Sequence, residues 1–222
     1  MSDVSDPIFA RIAARYDLIN RILSLGQEKR WRAKGIDMLA SGTVLDLGCG
    51  TGTTDFDGRV VVGLDPVIEM LALSKVRDRV VGVGEALPFK EGSLDAVFSG
   101  FVFRNLGSVD DTLAEIDRVL KPGSSAVVVD LARPRNGVLR FLHRSGTALL
   151  LPLVGLLFAG APREYWYLHR SLDSLPPPET LFSGHALAAE HVWRMGLFGF
   201  VYGVRLRKLD QGRKTQNVER RT

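Results

Sequence analysis

The run Val44-Leu45-Asp46-Leu47-Gly48-Cys49-Gly50-Thr51-Gly52 constrains this chain more than any other feature. A short apolar stretch such as Thr43 to Leu47 reads as a strand buried on both faces. It breaks at once into glycines at alternate positions, which permit a tight turn and let another molecule approach the backbone closely. The strand rhythm then recurs. Val60 to Leu64 ends at Asp65, Val80 to Val83 precedes Leu87-Pro88-Phe89, Leu94 to Ser99 forms a fourth run, and Ala126 to Leu131 a fifth. Helical periods occupy Val67 to Ser74 and Val109 to Leu120, the second closed by Lys121-Pro122-Gly123. Continuous β-branched strands alternating with helices specify an α/β fold, a mostly parallel twisted sheet covered by helices on both faces.

Both flanks of this core differ from it. Upstream, residues 6–40 read as helical, with Phe9, Ile12, Ala13, Tyr16 and Ile19 at three-to-four residue spacing and a second stretch through Trp31 and Ile36 to Leu39. Downstream, Phe200, Tyr202, Val204 and Leu206 alternate with Val201, Gly203, Arg205 and Arg207, and Gly196-Leu197-Phe198-Gly199 supplies a turn. This is a C-terminal antiparallel hairpin that closes the sheet. The hydrophobic content of 45% supports a full core, and no compositional break divides the 222 residues. The expected organisation is one domain: a helical segment 6–40, a core 43–131, a helical cap 133–185, a hairpin 190–208 and a basic tail 209–222.

In a doubly wound sheet the ligand sits beyond the carboxyl ends of the strands, where strand order reverses. The glycine turn fits that place, although dinucleotide-binding proteins and methyltransferases share it and a plain strand-to-helix turn is the bland alternative. Two acids narrow the choice. Asp65 ends the second strand, where a carboxylate can accept both hydrogen bonds of a ribose diol. Asp46 lies inside the first strand, a costly place for a charge unless it is paired. A phosphate has no use for an acid there, whereas a ligand with an ammonium group does.

The nonapeptide resembles motif I of class I methyltransferases. Phe9-Ala10-Arg11-Ile12-Ala13-Ala14-Arg15-Tyr16-Asp17-Leu18-Ile19-Asn20, Leu23-Ser24-Leu25-Gly26 and Arg30-Trp31-Arg32 are more specific. With Phe103-Arg104-Asn105, Arg118 to Gly123, Tyr165-Trp166-Tyr167-Leu168, Ser171 and Pro176, they resemble the menaquinone and ubiquinone C-methyltransferase family over roughly residues 8–208. The resemblance implies a Rossmann-like fold and S-adenosyl-L-methionine as cofactor. The implied reaction is methyl transfer to a ring carbon of a prenylated, demethylmenaquinol-like quinol in respiratory quinone biosynthesis. It assigns the cofactor to Gly48, Gly50, Thr51 and Gly52, to Asp65, to Val83-Gly84 and to Gly100, with Asp46 joining them on the argument above.

The chain also departs from the family pattern. Val83-Gly84 stands where the family has Asp-Ala or Asn-Ala, so the acid that meets the adenine amino group is missing, and Glu85 is the nearest carboxylate. Gly100 replaces a common serine. The stretch from Gly52 to Val60 is too short for the usual first helix, whose end helps hold the methionine carboxylate. These departures keep open a degenerate fold acting as a non-catalytic binding module, beside a methyltransferase for another lipid or small molecule.

Methyl transfer from a sulfonium needs no covalent enzyme intermediate and no metal, and no metal-ligand spacing occurs. The protein must align the acceptor, exclude water and help a quinol lose its proton. Candidates for polar help are Arg104, a fixed cation for a developing phenolate, with Asn105, Tyr165 and His169. Loop orientation is the alternative role for Arg104 and Asn105, and a helix-surface position for His169. Residues 147–162 carry no charge but are too short to span a bilayer and are interrupted by Pro152. They form either a core helix of the cap or a greasy mouth for an isoprenoid tail, flanked by Arg140, Arg144 and Arg163 as interfacial anchors.

Charge is unevenly placed. Residues 205–222 hold seven Lys/Arg against two acids and residues 133–170 six Arg against one, whereas residues 1–132 hold fifteen basic against nineteen acidic residues. Positive charge beside the most apolar segment suits an anionic membrane surface better than nucleic acid, since no aromatic-interleaved basic groove accompanies it. The single cysteine, Cys49, cannot form an internal disulfide. The expected setting is therefore cytoplasmic, at the inner face of the membrane through 147–162 and the tail, with a homodimer as a further expectation and nucleic acid not among the partners.

Overall fold

Among the described residues, seven strands make one sheet: β1 (Thr43–Leu47), β2 (Val60–Asp65), β3 (Asp78–Val81), β4 (Leu94–Gly100), β5 (Leu120–Leu131), β6 (Leu187–Met195) and β7 (Val201–Lys208). The helices are α1 (Glu28–Ile36), α2 (Ile68–Ala72), α3 (Val109–Val119), α4 (Gly137–Val154) and α5 (Pro178–Leu181). This computed structural model describes residues 20–154 and 169–209, with Ala10, Ala13, Asp17, Leu18, Leu156 and Trp166. Strand order is β3-β2-β1-β4-β5-β7-β6, parallel throughout except that β7 runs antiparallel to both β5 and β6. The expected α/β sheet with a closing hairpin is therefore present.

Alternation along the strands sends one set of residues to each face. Leu45, Leu47, Val97, Val128, Tyr202, Val204 and Leu206 pack with Leu113, Ile116 and Val119 of α3. Val44, Ala96, Phe98, Val127, Val129 and Val201 pack with Trp31 and Ile36 of α1. Helix α1 lies close because of Gly35: a Cβ there would stand 2.9 Å from Val129 Cγ2 and 3.1 Å from Phe98. In β7, Gly203 makes room for the Trp193 indole of β6, which lies where a side chain would project.

Several boundaries differ from the sequence expectation. Helix α3 stops at Val119, and β5 begins at Leu120, paired with Leu94, instead of at Ala126. The polar Lys121-Pro122-Gly123 segment hides this early start because it loops out at a register shift, with Gly123 at φ +76°. The third strand runs 78–81 instead of 80–83, and Val83 instead forms an isolated bridge to Ala86. Helix α2 is shorter than the expected 67–74, and the hairpin begins three residues before 190. Pro152 does not interrupt the cap helix. It sits in the last turn of α4, so only Leu153 and Val154 follow it in that helix. The expected helical segment 6–40 breaks at Leu25 (φ +52°) and Gly26 (φ +75°) before α1 begins.

The connection from β1 to β2 has no helix, as its length foretold. Parallel strands normally cross over through one. Here Phe56 from the loop fills the gap, its ring edge-on to Phe98 at 5.7 Å between centroids.

Candidate active site

Strand order reverses between β1 and β4, and the glycine turn lies at that point. The N–H groups of Gly48 and Cys49 donate to Leu64 O at 2.7 and 3.0 Å, folding the turn across the end of β2. Gly50 N–H donates to Asp65 Oδ2 and Val67 N–H to Asp65 Oδ1, both at 2.9 Å. Asp65 is thus locked in orientation by two backbone donors. The three glycines all have positive φ but serve different ends. A Cβ at Gly48 would collide with Val102, and one at Gly52 with Ser74 and the backbone of Val76. At Gly50 a Cβ would meet nothing within 4 Å. Gly48 and Gly52 are close-packing positions, whereas Gly50 faces open space.

That space is a cleft lined by Gly48, Gly50, Thr51, Asp65, Val83, Gly84, Glu85, Gly100 and Asn105, so most of the expected cofactor residues converge. Gly52 and Asp46 do not reach its wall. Gly52 braces the turn from behind, and Asp46 lies within β1, 1% exposed, with neither carboxylate oxygen hydrogen-bonded among the described residues. Burial pushes the Asp46 pKa up to about 7, opposed by the Arg32 charge and aided by that of Asp65. Such a carboxyl is what a ligand ammonium group would relieve.

Glu85 is placed differently from the expected substitute acid. Its Oε1 accepts from Gly107 N–H at 2.7 Å and Ser108 N–H at 3.1 Å, fixing the entry to α3. Gly84 is explained by Thr112: a Cβ would lie 2.9 Å from its side chain, so the alanine of the family pattern does not fit. At Gly100 a Cβ would stand 2.5 Å from Arg32 Nη1 and 3.1 Å from Phe98, so the serine of the family pattern would displace the guanidinium. Arg32 donates to Thr54 Oγ1 at 3.0 Å and stands 5.0 Å over the Phe101 ring. It brings a cation to the cleft beside the loop that replaces the missing helix. Sequence reasoning did not name Arg32, Asp17 (which accepts from Thr51 Oγ1 at 2.7 Å) or Glu28 as site residues, because helical spacing, even within the N-terminal signature that holds Asp17 and Arg32, does not say which polar side chains face a ligand.

A second cavity, about 640 Å³, adjoins the first and shares Asn20, Glu28 and Phe101 with it. Trp31, Leu131, Leu172, Phe200 and four leucines of α4 (Leu149, Leu150, Leu151 and Leu153) make its wall mostly apolar. Arg104 is on this wall. Its Nη1 pairs with Asp130 Oδ1 at 2.5 Å, and Asp130 Oδ1 also accepts from Leu131 N–H at 2.7 Å. The fully buried Asp130 fixes the guanidinium; burial, and then the Asp130 charge, raise the pKa of the neighbouring Tyr202. Two catalytic expectations fare otherwise. His169 is absent from both hollows: its Nδ1 meets Thr147 Oγ1 at 2.9 Å and its ring stacks on Trp166. Tyr165 lies outside the described residues. The histidine that lines the second cavity is His143, which the sequence reading did not single out.

The geometry offers an open glycine turn, a diol-type acceptor, an unrelieved buried carboxyl and an apolar chamber next door. No group of His, Cys, Asp and Glu among the described residues could hold a metal ion.

Residues 2–187 match the model of the ubiE/COQ5 methyltransferase family. The demethylmenaquinone methyltransferase of Thermus thermophilus is 36% identical over 191 residues, covering 78% of this chain and 87% of that protein. The corresponding enzyme of Deinococcus radiodurans is also 36% identical, over 78% and 79%. The 2-phytyl-1,4-naphtoquinone methyltransferase of Synechocystis sp. is 32% identical over 217 residues, covering 86% and 91%. Among solved structures, a SAM-dependent methyltransferase of Thermotoga maritima superposes with a TM-score of 0.59 at 17% identity, over 91% of this chain and 99% of that one. One of Aquifex aeolicus gives 0.51 at 17% identity, over 82% and 92%. At such identities these likenesses bear on the fold.

Proposed function

The chain belongs to the ubiE/COQ5 methyltransferase family, and from that premise we propose that it methylates a ring carbon of a prenylated, demethylmenaquinol-like quinol in quinone biosynthesis. Its cofactor is S-adenosyl-L-methionine, which when bound supplies an electrophilic methyl group. The observation that carries the choice of acceptor is the apolar 640 Å³ cavity sharing a wall with the cofactor cleft, a volume suited to a ring with part of a tail.

The residues divide the work. Asp65 would take the ribose hydroxyls, the bare backbone at Gly50 would admit the ligand, and Asp46, buried behind the cleft wall, would favour a ligand ammonium group through its field. On the acceptor side, the walls from α4 and Phe200 exclude water, which strengthens any charge interaction within. Arg104, immobilised by Asp130, favours negative charge on a quinol oxygen as its proton leaves. That charge is delocalised onto the ring carbon, making it nucleophilic, and the ring carbon then gives up its own proton after methylation. The oxidised quinone is electron-poor and lacks this drive. Asn105, at the cleft, and Tyr165 remain candidates for orienting the ring.

Membrane contact supports delivery of such a substrate. Helix α4 exposes Val138, Phe141, Leu142, Leu149, Leu150 and Leu153 while also contributing to the cavity, with Arg140 and Arg144 on the same helix. An apolar helix face with basic neighbours binds an anionic interface in the plane of the lipid. No helix among the described residues is long and apolar enough to cross a membrane. The basic tail beyond residue 209, which lies outside the described residues, would add attraction.

The test is incubation of purified protein with labelled S-adenosyl-L-methionine and a short-tailed demethylmenaquinone, with and without dithionite. Methylated product confined to the reduced samples is expected. Equal product without reductant overturns the quinol step, and no product from any quinol despite cofactor binding overturns the acceptor. Sedimentation with anionic vesicles should retain the protein and lose it as salt rises; a soluble dimer unaffected by vesicles would assign the α4 face to a second copy instead.

A further inference from the structure

The acceptor cavity contains one polar side chain whose protonation the structure fixes and which no motif announces. His143 projects from α4 onto its wall. Behind it, Arg133 is held by both oxygens of Asp173, through Nε and Nη2 at 2.9 Å each, and by His169 O at 3.0 Å. The remaining donors of Arg133 converge from Nη1, on Thr147 Oγ1 at 2.9 Å and on His143 Nδ1 at 3.3 Å. A guanidinium only donates, so His143 Nδ1 must accept. Burial and the Arg133 charge both hold the His143 pKa below its ordinary value, so the ring stays neutral. A neutral imidazole that accepts at Nδ1 carries its proton on Nε2. Among the described residues nothing else bonds this ring through a hydrogen bond, and Thr147, its neighbour one turn on, is already occupied: its Oγ1 lies 2.8 Å from His143 O and 2.9 Å from His169 Nδ1, and it accepts from Arg133.

We infer that His143 is a substrate-binding residue, its Nε2–H donating a hydrogen bond to a ring oxygen of the quinoid acceptor. The inference rests on the reading of this cavity as the acceptor site and gives it a second polar contact beside Arg104. Its chemistry is specific. A preset donor suits a quinone carbonyl and a phenolate alike, and it excludes His143 as the base that takes the quinol proton. Acceptors lacking an oxygen on the ring lose the contact.

The experiment is direct binding, without turnover. Quenching of tryptophan emission, Trp31 lying on the same wall, would be followed as a short-tailed naphthoquinone is titrated into the full-length protein. His143→Phe, which keeps an aromatic ring against Phe200 but has no donor, should weaken binding roughly tenfold, the scale of one hydrogen bond. His143→Gln, which restores an N–H donor, should recover most of that loss, and the titration with S-adenosylhomocysteine should be unchanged in both variants. Nitrogen-15 shifts of the ring should report the proton on Nε2. Equal quinone affinity in wild type and His143→Phe, or a proton on Nδ1, overturns the inference while leaving the acceptor assignment standing. Failure of the wild type itself to bind any naphthoquinone overturns both.

Discussion

Replacing Asp46 by asparagine should make the ligand-free protein more stable and the site worse. The Asp46 carboxyl titrates near 7 in the fold against an ordinary 3.8, because burial in β1 outweighs the attraction of Arg32. Between those two pH values the folded chain keeps a proton that the unfolded chain has released. Stability therefore falls as pH rises through that window and is level above it. At ~1.4 kcal/mol for each pH unit, the cost of the charged form reaches about 4 kcal/mol. Asparagine has nearly the same shape and no proton to lose. The advantage of Asp46→Asn should thus be absent near pH 4 and full near pH 8. For a domain of this size, that gain raises the melting temperature by roughly 8–16 °C. The assay is thermal unfolding of both proteins, without ligand, across pH 4–9. Saturating S-adenosylhomocysteine should then shrink the difference at pH 8, since the field of its ammonium group reaches the buried wild-type carboxylate and finds no charge in the variant. A melting difference that does not change with pH, or no gain at pH 8, would refute the claim that this carboxyl is buried without a partner.

Two further outcomes follow from the glycine turn and the hairpin. Gly50→Val should leave the protein folded, at a cost of roughly 1–2 kcal/mol for a branched residue at φ +53°, while calorimetric binding of S-adenosylhomocysteine disappears; Asp65→Ala should weaken that binding by roughly 1–3 kcal/mol. Gly203→Ala should destabilise the protein by roughly 1–3 kcal/mol in denaturant titrations, because the new methyl would lie 2.1 Å from Trp193 Cζ2, and Trp193→Leu in the same chain should recover part of the loss.

The parallel core was legible because β1, β2 and β4 are short, mostly apolar runs, each carrying a single acid: Asp46, Asp65 and Asp95. The early part of β5 was not, since a bulge needs no apolar residues. Motif I and Asp65 announced the cofactor cleft because backbone geometry there demands glycine and an acid at a strand end. The polar groups of the acceptor side were obscure for a different reason. His143, Arg133, Asp173 and Thr147 meet across the fold from α4, the end of β5 and the segment before α5, and such a network has no spacing that a linear reading can detect. His169 was named as a candidate for polar help, yet it supports the network from behind instead of facing the cavity.

Phe101 is shared by the cofactor cleft and the acceptor cavity, and its backbone is held at φ +69°, a conformation that a bulky residue adopts only when its surroundings enforce it. Its N–H is tied to Val129 O at 2.7 Å, and Arg32 and Trp31 pack on its ring. A ligand in either hollow that shifts this ring changes the shape of the other. Energetic coupling of that kind is reciprocal: whatever factor the cofactor adds to acceptor affinity, the acceptor must return to the cofactor. Demethylated cofactor and methylated lipid would then tend to hold one another in place, and the departure of one would govern the release of the other.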